Sequence, residues 1–311
     1  MSTQKWIANK YELLEPVGEG GMAKVYRGLL HGAAGFTHRV AIKRVLPNLA
    51  VDAQFVAMFV EEARVVSDLA HPNIAQVYDF DQDEDGRYFI VMEWVDGLDL
   101  GARIESFPPG ETPQHLVAAI GIEILRALTA AHERVDGGGR PAPVIHRDVS
   151  PANVLLSVMG IVKLVDFGLA RAADRAAMTA PGTVKGKLSY LAPELLKKQP
   201  ATPRSDIFGA GIVLWEALTG QRLFGGGDAI DVLKRISAGK VPQVRDVRPN
   251  VPAAFAEVVH TALAINPAER FDSAEEMQRA LASILRGQTE STDDKSLARA
   301  IREAIARRSS R

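Results

Sequence analysis

The 311-residue chain contains no cysteine. That excludes disulfides, thiolate chemistry and cysteine-based zinc sites, and it fits a reducing compartment. An excess of either charge is also lacking. Lys and Arg number 37 against 38 Asp and Glu, leaving a net charge of −1. There is no basic field of the kind nucleic acid requires, so no nucleic-acid partner is expected. Long apolar runs are absent too. The longest, Ile207 to Trp215, is too short to cross a bilayer and ends at Glu216. Met1 to Val17 has no continuous apolar core, so no signal peptide is expected and a cytoplasmic location follows. Hydrophobic residues at 47% and charged residues at 24% are ordinary for a globular protein, and the length suffices for two lobes with separate cores.

The polar residues that could carry chemistry concentrate in Val144-Ile-His-Arg-Asp-Val-Ser-Pro-Ala-Asn-Val-Leu-Leu156 and in Val165-Asp-Phe-Gly168. Apolar runs before His146, after Asn153 and before Asp166 read as short buried strands that would hold these groups on a rigid frame. Upstream, Tyr11 to Val17 begins as a strand, Gly18-Glu-Gly-Gly-Met-Ala-Lys-Val-Tyr26 is a tight glycine hairpin, and Val40-Ala-Ile-Lys43 follows. Gln54 to Leu69 has a helical period, with Phe55, Phe59, Val66 and Leu69 on one face. Adjacent Glu61 and Glu62 point about 100° apart, so only one of them can face a site. Ile74 to Phe80 and Arg87 to Trp94 read as strands joined by the acidic turn Asp81 to Gly86.

Pro113 to Glu133 is a long amphipathic helix, and the glycine-rich Arg134 to Pro143 reads as a flexible loop. Leu169 to Ser189 has no period and reads as a mobile loop. Ser205 to Leu218 is almost wholly apolar and is expected as a central helix, with amphipathic helices over Asp228–Ala238, Val251–Ala264 and Ser273–Leu285. Gly287 to Lys295 reads as a polar linker. Ser296 to Arg311 carries Leu297, Ile301, Ala304 and Ile305 at helical spacing among arginines. It is either a basic amphipathic helix that docks on a partner or an anionic membrane, or a solvated tail. The tail is favoured because short isolated helices are marginal in water.

Taken in order, these motifs resemble the protein-kinase signature set. The chain is similar, over roughly residues 11 to 285, to the bacterial eukaryotic-like Ser/Thr protein kinases. Gly-Gly-Met-Ala in the glycine hairpin and His-Arg-Asp-Val-Ser-Pro give it the bacterial character. The resemblance implies an α+β, two-lobed protein-kinase-like fold. A small N-lobe, residues 1–94, would be an antiparallel sheet with one helix. A larger, mainly helical C-lobe would span 95–286, and 287–311 would be linker and basic C-terminal segment. ATP and Mg²⁺ would occupy the cleft, and the γ-phosphoryl group would pass to Ser or Thr hydroxyls of a protein substrate.

The same resemblance implies residue roles. Asp148 would take the proton of the attacking hydroxyl, and Asn153 and Asp166 would supply hard oxygen ligands that suit Mg²⁺. Lys43 would bind phosphate and pair with Glu62, which Phe59-Val-Glu-Glu-Ala63 selects over Glu61. Gly18 and Gly20 would cover the phosphates; the third glycine of the pattern is Ala23 here. Val17, Val25, Ala41, Met92 and Leu155 would line the adenine site. The backbones of Glu93 and Val95 would hydrogen-bond the base, and Asp99 would reach the ribose. Asp206 would hold the catalytic loop, and Glu194 of Ala192-Pro-Glu194 would pair with Arg270. Arg147, directly before Asp148, implies a phosphate on the loop at Thr179 or Thr183, placed there by self-association and trans-autophosphorylation.

Two departures stand out. Ser150 occupies the position of the family's lysine, and Lys187 the position of its threonine. One hypothesis covers both: the γ-phosphate cation has changed sides, making Lys187 catalytic. The rivals are a pseudokinase scaffold, which would lack one of Lys43, Glu62, Asp148 or Asp166, and a small-molecule phosphotransferase, which would lack Ala-Pro-Glu and its arginine. Membrane contact is expected only through the C-terminal segment.

Overall fold

The computed structural model describes residues 5–167, 188–286 and 292–310, with Lys5 and Glu62 described by backbone alone. The described residues divide into two compact units. Unit 1 comprises 5–70 and 75–94; unit 2 comprises 71–74, 95–167, 188–286 and 292–310. Residues 71–74, expected in the N-lobe, belong to unit 2. Asn73 Nδ2 donates to the Val162 carbonyl at 2.9 Å, the Leu164 N–H donates to the Asn73 carbonyl at 2.8 Å, and Ile74 bridges Leu164.

Unit 1 is a six-stranded antiparallel sheet covered by one long helix. The strands are β1 (Lys5–Ile7), β2 (Tyr11–Glu19), β3 (Ala23–His31), β4 (Thr37–Val45), β5 (Val77–Gln82) and β6 (Tyr88–Glu93), in the order β1-β2-β3-β4-β6-β5. The helix α1 (Ala53–Ser67) starts at Asp52, whose side chain accepts from the N–H groups of Gln54 and Phe55 and so satisfies two orphan donors. Phe55, Phe59 and Ala63 pack with Met22, Ala23, Val45 and Ile90 on one side of the sheet. Ile7, Tyr11, Leu13, Val40, Ile42, Phe89 and Val91 form a second core. The acidic turn between β5 and β6 is closed by buried Asp83, which accepts from the N–H groups of Asp85 and Arg87 and from the Arg44 guanidinium.

Unit 2 joins a three-stranded sheet to helices. Its strands are β7 (Gly97–Asp99), β8 (Val154–Ser157) and β9 (Val162–Leu164). The main helices are α2 (Gln114–His132), α3 (Pro203–Thr219), α4 (Ala229–Ala238), α5 (Ala253–Ala262), α6 (Ala274–Leu285) and α7 (Asp294–Ser309), with a short helix Leu100–Glu105 after β7. Among the described helices α2 is the one long and apolar enough to span a membrane. Its apolar side chains, among them Leu116, Ile120, Leu125 and Leu128, are buried in the core of the unit. Helix α3 is buried from Ser205 to Thr219. Gly209 lets it approach the chain at Val149 closely, because a Cβ there would lie 2.9 Å from that of Val149.

Two expectations change here. The glycine-rich loop after α2 is a closed turn. Asp136 Oδ1 accepts from the N–H groups of Gly138 and Arg140, and Val135 bridges Pro141. Residues 294–309 are a docked helix rather than a solvated tail, with Leu297, Ala298, Ile301 and Ala304 buried in unit 2. The tertiary surface supplies the apolar partner that the isolated segment lacks.

Glu194, in the one-turn helix Pro193–Leu196, and Arg270 form a bidentate pair at 2.9 and 2.8 Å. Arg270 also donates to the carbonyls of Ala264, Ile265 and Arg204, and its guanidinium lies 4.7 Å from the centre of the Phe208 ring. Burial pushes the Glu194 carboxyl up, but the bonds from Arg270 and Ser205 outweigh that and hold it below the usual carboxylate range. The pair therefore stabilises unit 2 above the ordinary carboxylate range, and the contribution is lost as pH falls through the lowered value. Arg270→Ala leaves a buried carboxylate uncompensated and should cost about 3–5 kcal/mol in urea unfolding at neutral pH. The deficit should shrink in acid, and a loss below about 1 kcal/mol would show the pair to be dispensable.

Candidate active site

The segment from His146 to Asp148 in unit 2 hangs from one carboxyl group. Asp206, 1% exposed in the first turn of α3, accepts from the His146 N–H through Oδ2 at 2.8 Å and from the Arg147 N–H through Oδ1 at 2.7 Å. His132 Nε2, in the last turn of α2, donates to the same Oδ2 at 2.8 Å. His132 was not anticipated from the sequence, where a lone histidine 74 residues from its partner carries no signal. Anchoring by two backbone bonds fixes Arg147 at a φ of +68°, a left-handed conformation costly for a residue with a side chain. Asp148 follows, 9% exposed.

His146 ties this segment to the next. Its Nδ1 accepts from the Asp148 N–H at 3.2 Å, so the ring proton is on Nε2, which donates to the Val165 carbonyl at 2.9 Å. Its ring lies 4.5 Å from that of Phe167. Burial lowers the His146 pKa, which keeps the imidazole in the neutral form this arrangement needs. Asp166 sits between Val165 and Phe167 with a φ of +64°. Asn153 Nδ2 donates to the Asp148 carbonyl at 2.7 Å, and the Val165 N–H donates to the Asn153 carbonyl at 3.0 Å. The Asn153 side-chain oxygen is the acceptor end of the amide. With the Asp166 carboxyl it offers hard oxygens from two neighbouring chain segments. No cluster of three or more His, Asp or Glu that could hold a metal occurs among the described residues. That donor set fits Mg²⁺, which takes one or two protein oxygens and fills its octahedron with water and phosphate.

In unit 1 the strand register decides which side chains share a face. Lys43 pairs with Val25 on β3 and with Ile90 on β6, and Ala41 pairs with Met92. Alternation along the strands therefore puts Val25, Ala41, Lys43 and Met92 on one face. Lys43 is 6% exposed there. Gly18 pairs with Val25, and Gly20 donates to the Ala23 carbonyl at 3.0 Å across the hairpin. Val17 is 48% exposed. The Glu93 N–H donates to the Gln76 carbonyl at 2.8 Å. Glu62 lies in the helical stretch of α1.

Val95, Asp99 and Leu155 belong to unit 2. Asp99 on β7 lies opposite Leu155 on β8 and accepts from the Ala102 N–H at 2.8 Å, capping the short helix. Thr179, Thr183 and Lys187 lie outside the described residues. Ser150 is buried. The end of the loop before Glu194 is held by a network that the sequence did not suggest. Tyr190 donates to Glu216 at 2.8 Å, and Arg222 donates to the Tyr190 hydroxyl at 2.6 Å.

The protein kinase domain model matches residues 11–281. The tyrosine-protein kinase MasK of Myxococcus xanthus is 39% identical over 277 residues, covering 88% of this chain and 43% of that protein. The serine/threonine-protein kinase PrkC of Bacillus subtilis is 35% identical, covering 88% and 40%. The serine/threonine-protein kinase PknL of Mycobacterium tuberculosis is 37% identical, covering 89% and 66%. The crystal structure of the M. tuberculosis PknI kinase domain matches with a TM-score of 0.69 at 28% identity, covering 91% of this chain and 99% of that one. The fold is that of a protein kinase, and the chain belongs to the protein kinase domain family. It spans about two-fifths of the length of the MasK and PrkC relatives.

The His146 tautomer makes a prediction. Its pKa is lowered from 6.5 in the folded state, so the unfolded chain takes up the proton first. Stability from this site is complete above the ordinary imidazole range and is lost as pH falls below it. Urea unfolding should show a lower midpoint at pH 5 than at pH 7.5, and His146→Asn should flatten that slope. An identical slope in the variant would remove His146 from the account.

Proposed function

We propose that this chain transfers the γ-phosphoryl group of ATP to hydroxyl groups of protein substrates. The observation that carries the reading is the Asp206-anchored segment, in which Asp148, Asn153 and Asp166 are joined through His146 and the Asn153 amide. In the step, the acceptor hydroxyl gives its proton to the Asp148 carboxyl as its oxygen bonds to the γ-phosphorus. The bond to the β,γ-bridging oxygen breaks and ADP leaves. Lys43 holds phosphate oxygens, with Glu62 to orient it. Asn153 and Asp166 would hold Mg²⁺, which would supply neutralisation of phosphate charge. Val17, Val25, Ala41, Met92 and Leu155 take the base with the backbones of Glu93 and Val95, Gly18 and Gly20 cover the phosphates, and Asp99 takes the ribose. The presence of Lys43, Asp148 and Asp166 speaks against a pseudokinase, and the Glu194–Arg270 pair against a small-molecule phosphotransferase.

Serine and threonine are the proposed acceptors, as the names of PrkC and PknL suggest. Tyrosine is the second reading, for two reasons: MasK is named a tyrosine kinase, and Ser150 stands where the Ser/Thr pattern has lysine. Arg147 Nε is buried without a hydrogen-bond partner among the described residues. A phosphate on Thr179 or Thr183, placed by a second copy in trans, would supply one. Use of ATP assigns the reaction to the cytoplasm. The proposal includes no membrane contact by the C-terminal segment, whose apolar face is buried in unit 2.

Asp148→Asn and Lys43→Ala should each abolish most phosphoryl transfer from labelled ATP with little change in melting temperature. Near-normal transfer in either variant would defeat the reading. Phosphoamino-acid analysis of the wild-type product decides between the acceptors, and site mapping tests the two loop threonines.

Lys187→Ala should lower kcat by about 10²–10³ with little effect on the KM for ATP, as expected for a cation aimed at charge developing in the transition state. The double change Ser150→Lys/Lys187→Thr should recover activity beyond the sum of the single effects. A wild-type kcat in Lys187→Ala would end the exchange idea.

A further inference from the structure

Helix α7 lies beyond residue 281, where the match to the kinase domain ends, yet it is built into unit 2. It packs on β7, β8 and the short helix Leu100–Glu105. Leu297 and Ala298 are each 4% exposed, and Ile301 and Ala304 are 0% exposed. Asp293 caps its start by accepting from the Ser296 N–H at 2.9 Å. Gly160, at a φ of +89°, makes room for that start, since a Cβ there would lie 2.0 Å from the Asp294 carbonyl oxygen. Arg302 donates to the Val158 carbonyl at 2.9 Å, and Arg308 to the Ala102 carbonyl at 3.3 Å.

The helix also brings charge to a place that needs it. Arg103, in the short helix, is 1% exposed, and its Nε has no hydrogen-bond partner among the described residues. Burial pushes its pKa down to about 10; of the charges on α7, Glu303 opposes that push and Arg307 adds to it by a smaller amount. Phe107 is stacked between two cations, with Arg103 and Arg307 each 4.4 Å from its ring centre. Glu303 in turn holds Arg307 at 2.9 Å. A buried guanidinium without a nearby carboxylate is costly, so α7 lessens a penalty that the short helix carries alone.

These contacts converge on the segments to which the proposed function assigns the nucleotide. Asp99 lies on β7, Leu155 on β8, and Asn153 directly precedes β8. Asp99 caps the turn through the Ala102 N–H, and Arg308 of α7 binds the carbonyl of that same Ala102. We infer that α7 is a clamp that sets nucleotide affinity, with Ile301 and Arg308 as positioning residues for Asp99 and β8. This rests on the kinase reading. The clamp lowers the freedom of the ribose-side turn, so its loss weakens nucleotide binding in ground state and transition state alike. Such a change raises KM and leaves kcat.

The test uses the 311-residue chain and two variants, Ile301→Asp to undock the helix and Arg308→Ala to remove the bond to the Ala102 carbonyl and the 3.9 Å pair with Glu105. Three readouts are needed: the Kd of a non-hydrolysable ATP analogue by calorimetry, the KM for ATP with kcat, and amide hydrogen exchange over 97–105 and 294–309. The expected result is that Kd and KM rise together by about fivefold or more, with kcat within about twofold, and exchange in 97–105 speeds up. Arg308→Lys should restore most of the affinity. If Ile301→Asp fails to fold, Arg308→Ala carries the test. Unchanged Kd and KM in Arg308→Ala, or a fall in kcat at constant KM, overturns the clamp. A wild-type chain that neither binds the analogue nor transfers phosphate defeats the kinase reading itself. A fully active wild type matched by its variants defeats only the clamp.

Discussion

The Asp206 carboxyl is the constraint on which the rest of unit 2 turns. Three donors from two parts of the chain, the consecutive backbones of His146 and Arg147 and the ring of His132, converge on its two oxygens. A buried polar group must be satisfied or it costs free energy, and here satisfying it sets the path of the chain from His146 to Asp148. Helix α3 is buried along nearly its whole length, so the anchor cannot drift. That rigidity holds Arg147, one residue before Asp148, in a left-handed backbone it would not adopt alone. Gly209 adds to it by letting α3 press against Val149.

From this anchor the order spreads through a neutral imidazole. His146 uses one nitrogen to accept and the other to donate, joining the Asp148 backbone to the Val165 carbonyl beside Asp166. A protonated ring would set an N–H against the Asp148 N–H. Burial removes that form at neutral pH, so the environment and the hydrogen bonds require the same tautomer. Asp148, Asn153 and Asp166 are thus positioned by one network rather than by separate loops.

Two buried arginines show how differently a cation can be accommodated. Arg270 has a carboxylate, three carbonyls and an aromatic face. Arg103 has the face of Phe107, a 3.4 Å bond to the Thr112 hydroxyl and, at longer range, Glu303 from a helix far along the chain. The first arrangement completes itself within the kinase domain. The second draws also on α7, which makes that helix part of the unit's electrostatics as well as of its packing.

Much of the fold was readable from residue order. Helical periods in α1, α2, α4 and α6, and the apolar continuity of α3, reflect local burial patterns that any tertiary arrangement must respect. Asp148, Asn153 and Asp166 were legible because phosphoryl transfer demands those residue types in a fixed order. Neither period nor motif contains the partner of a side chain. That His132 completes the Asp206 site and that Arg222 and Glu216 hold Tyr190 follow from contacts across long stretches of chain. The C-terminal segment shows the division most clearly. Its sequence determined an amphipathic helix with arginines around an apolar stripe. Whether that stripe met water, a membrane or the protein itself was decided by the surface of β7, β8 and the short helix. Burial is a property of two surfaces, and a single segment's sequence specifies only one of them.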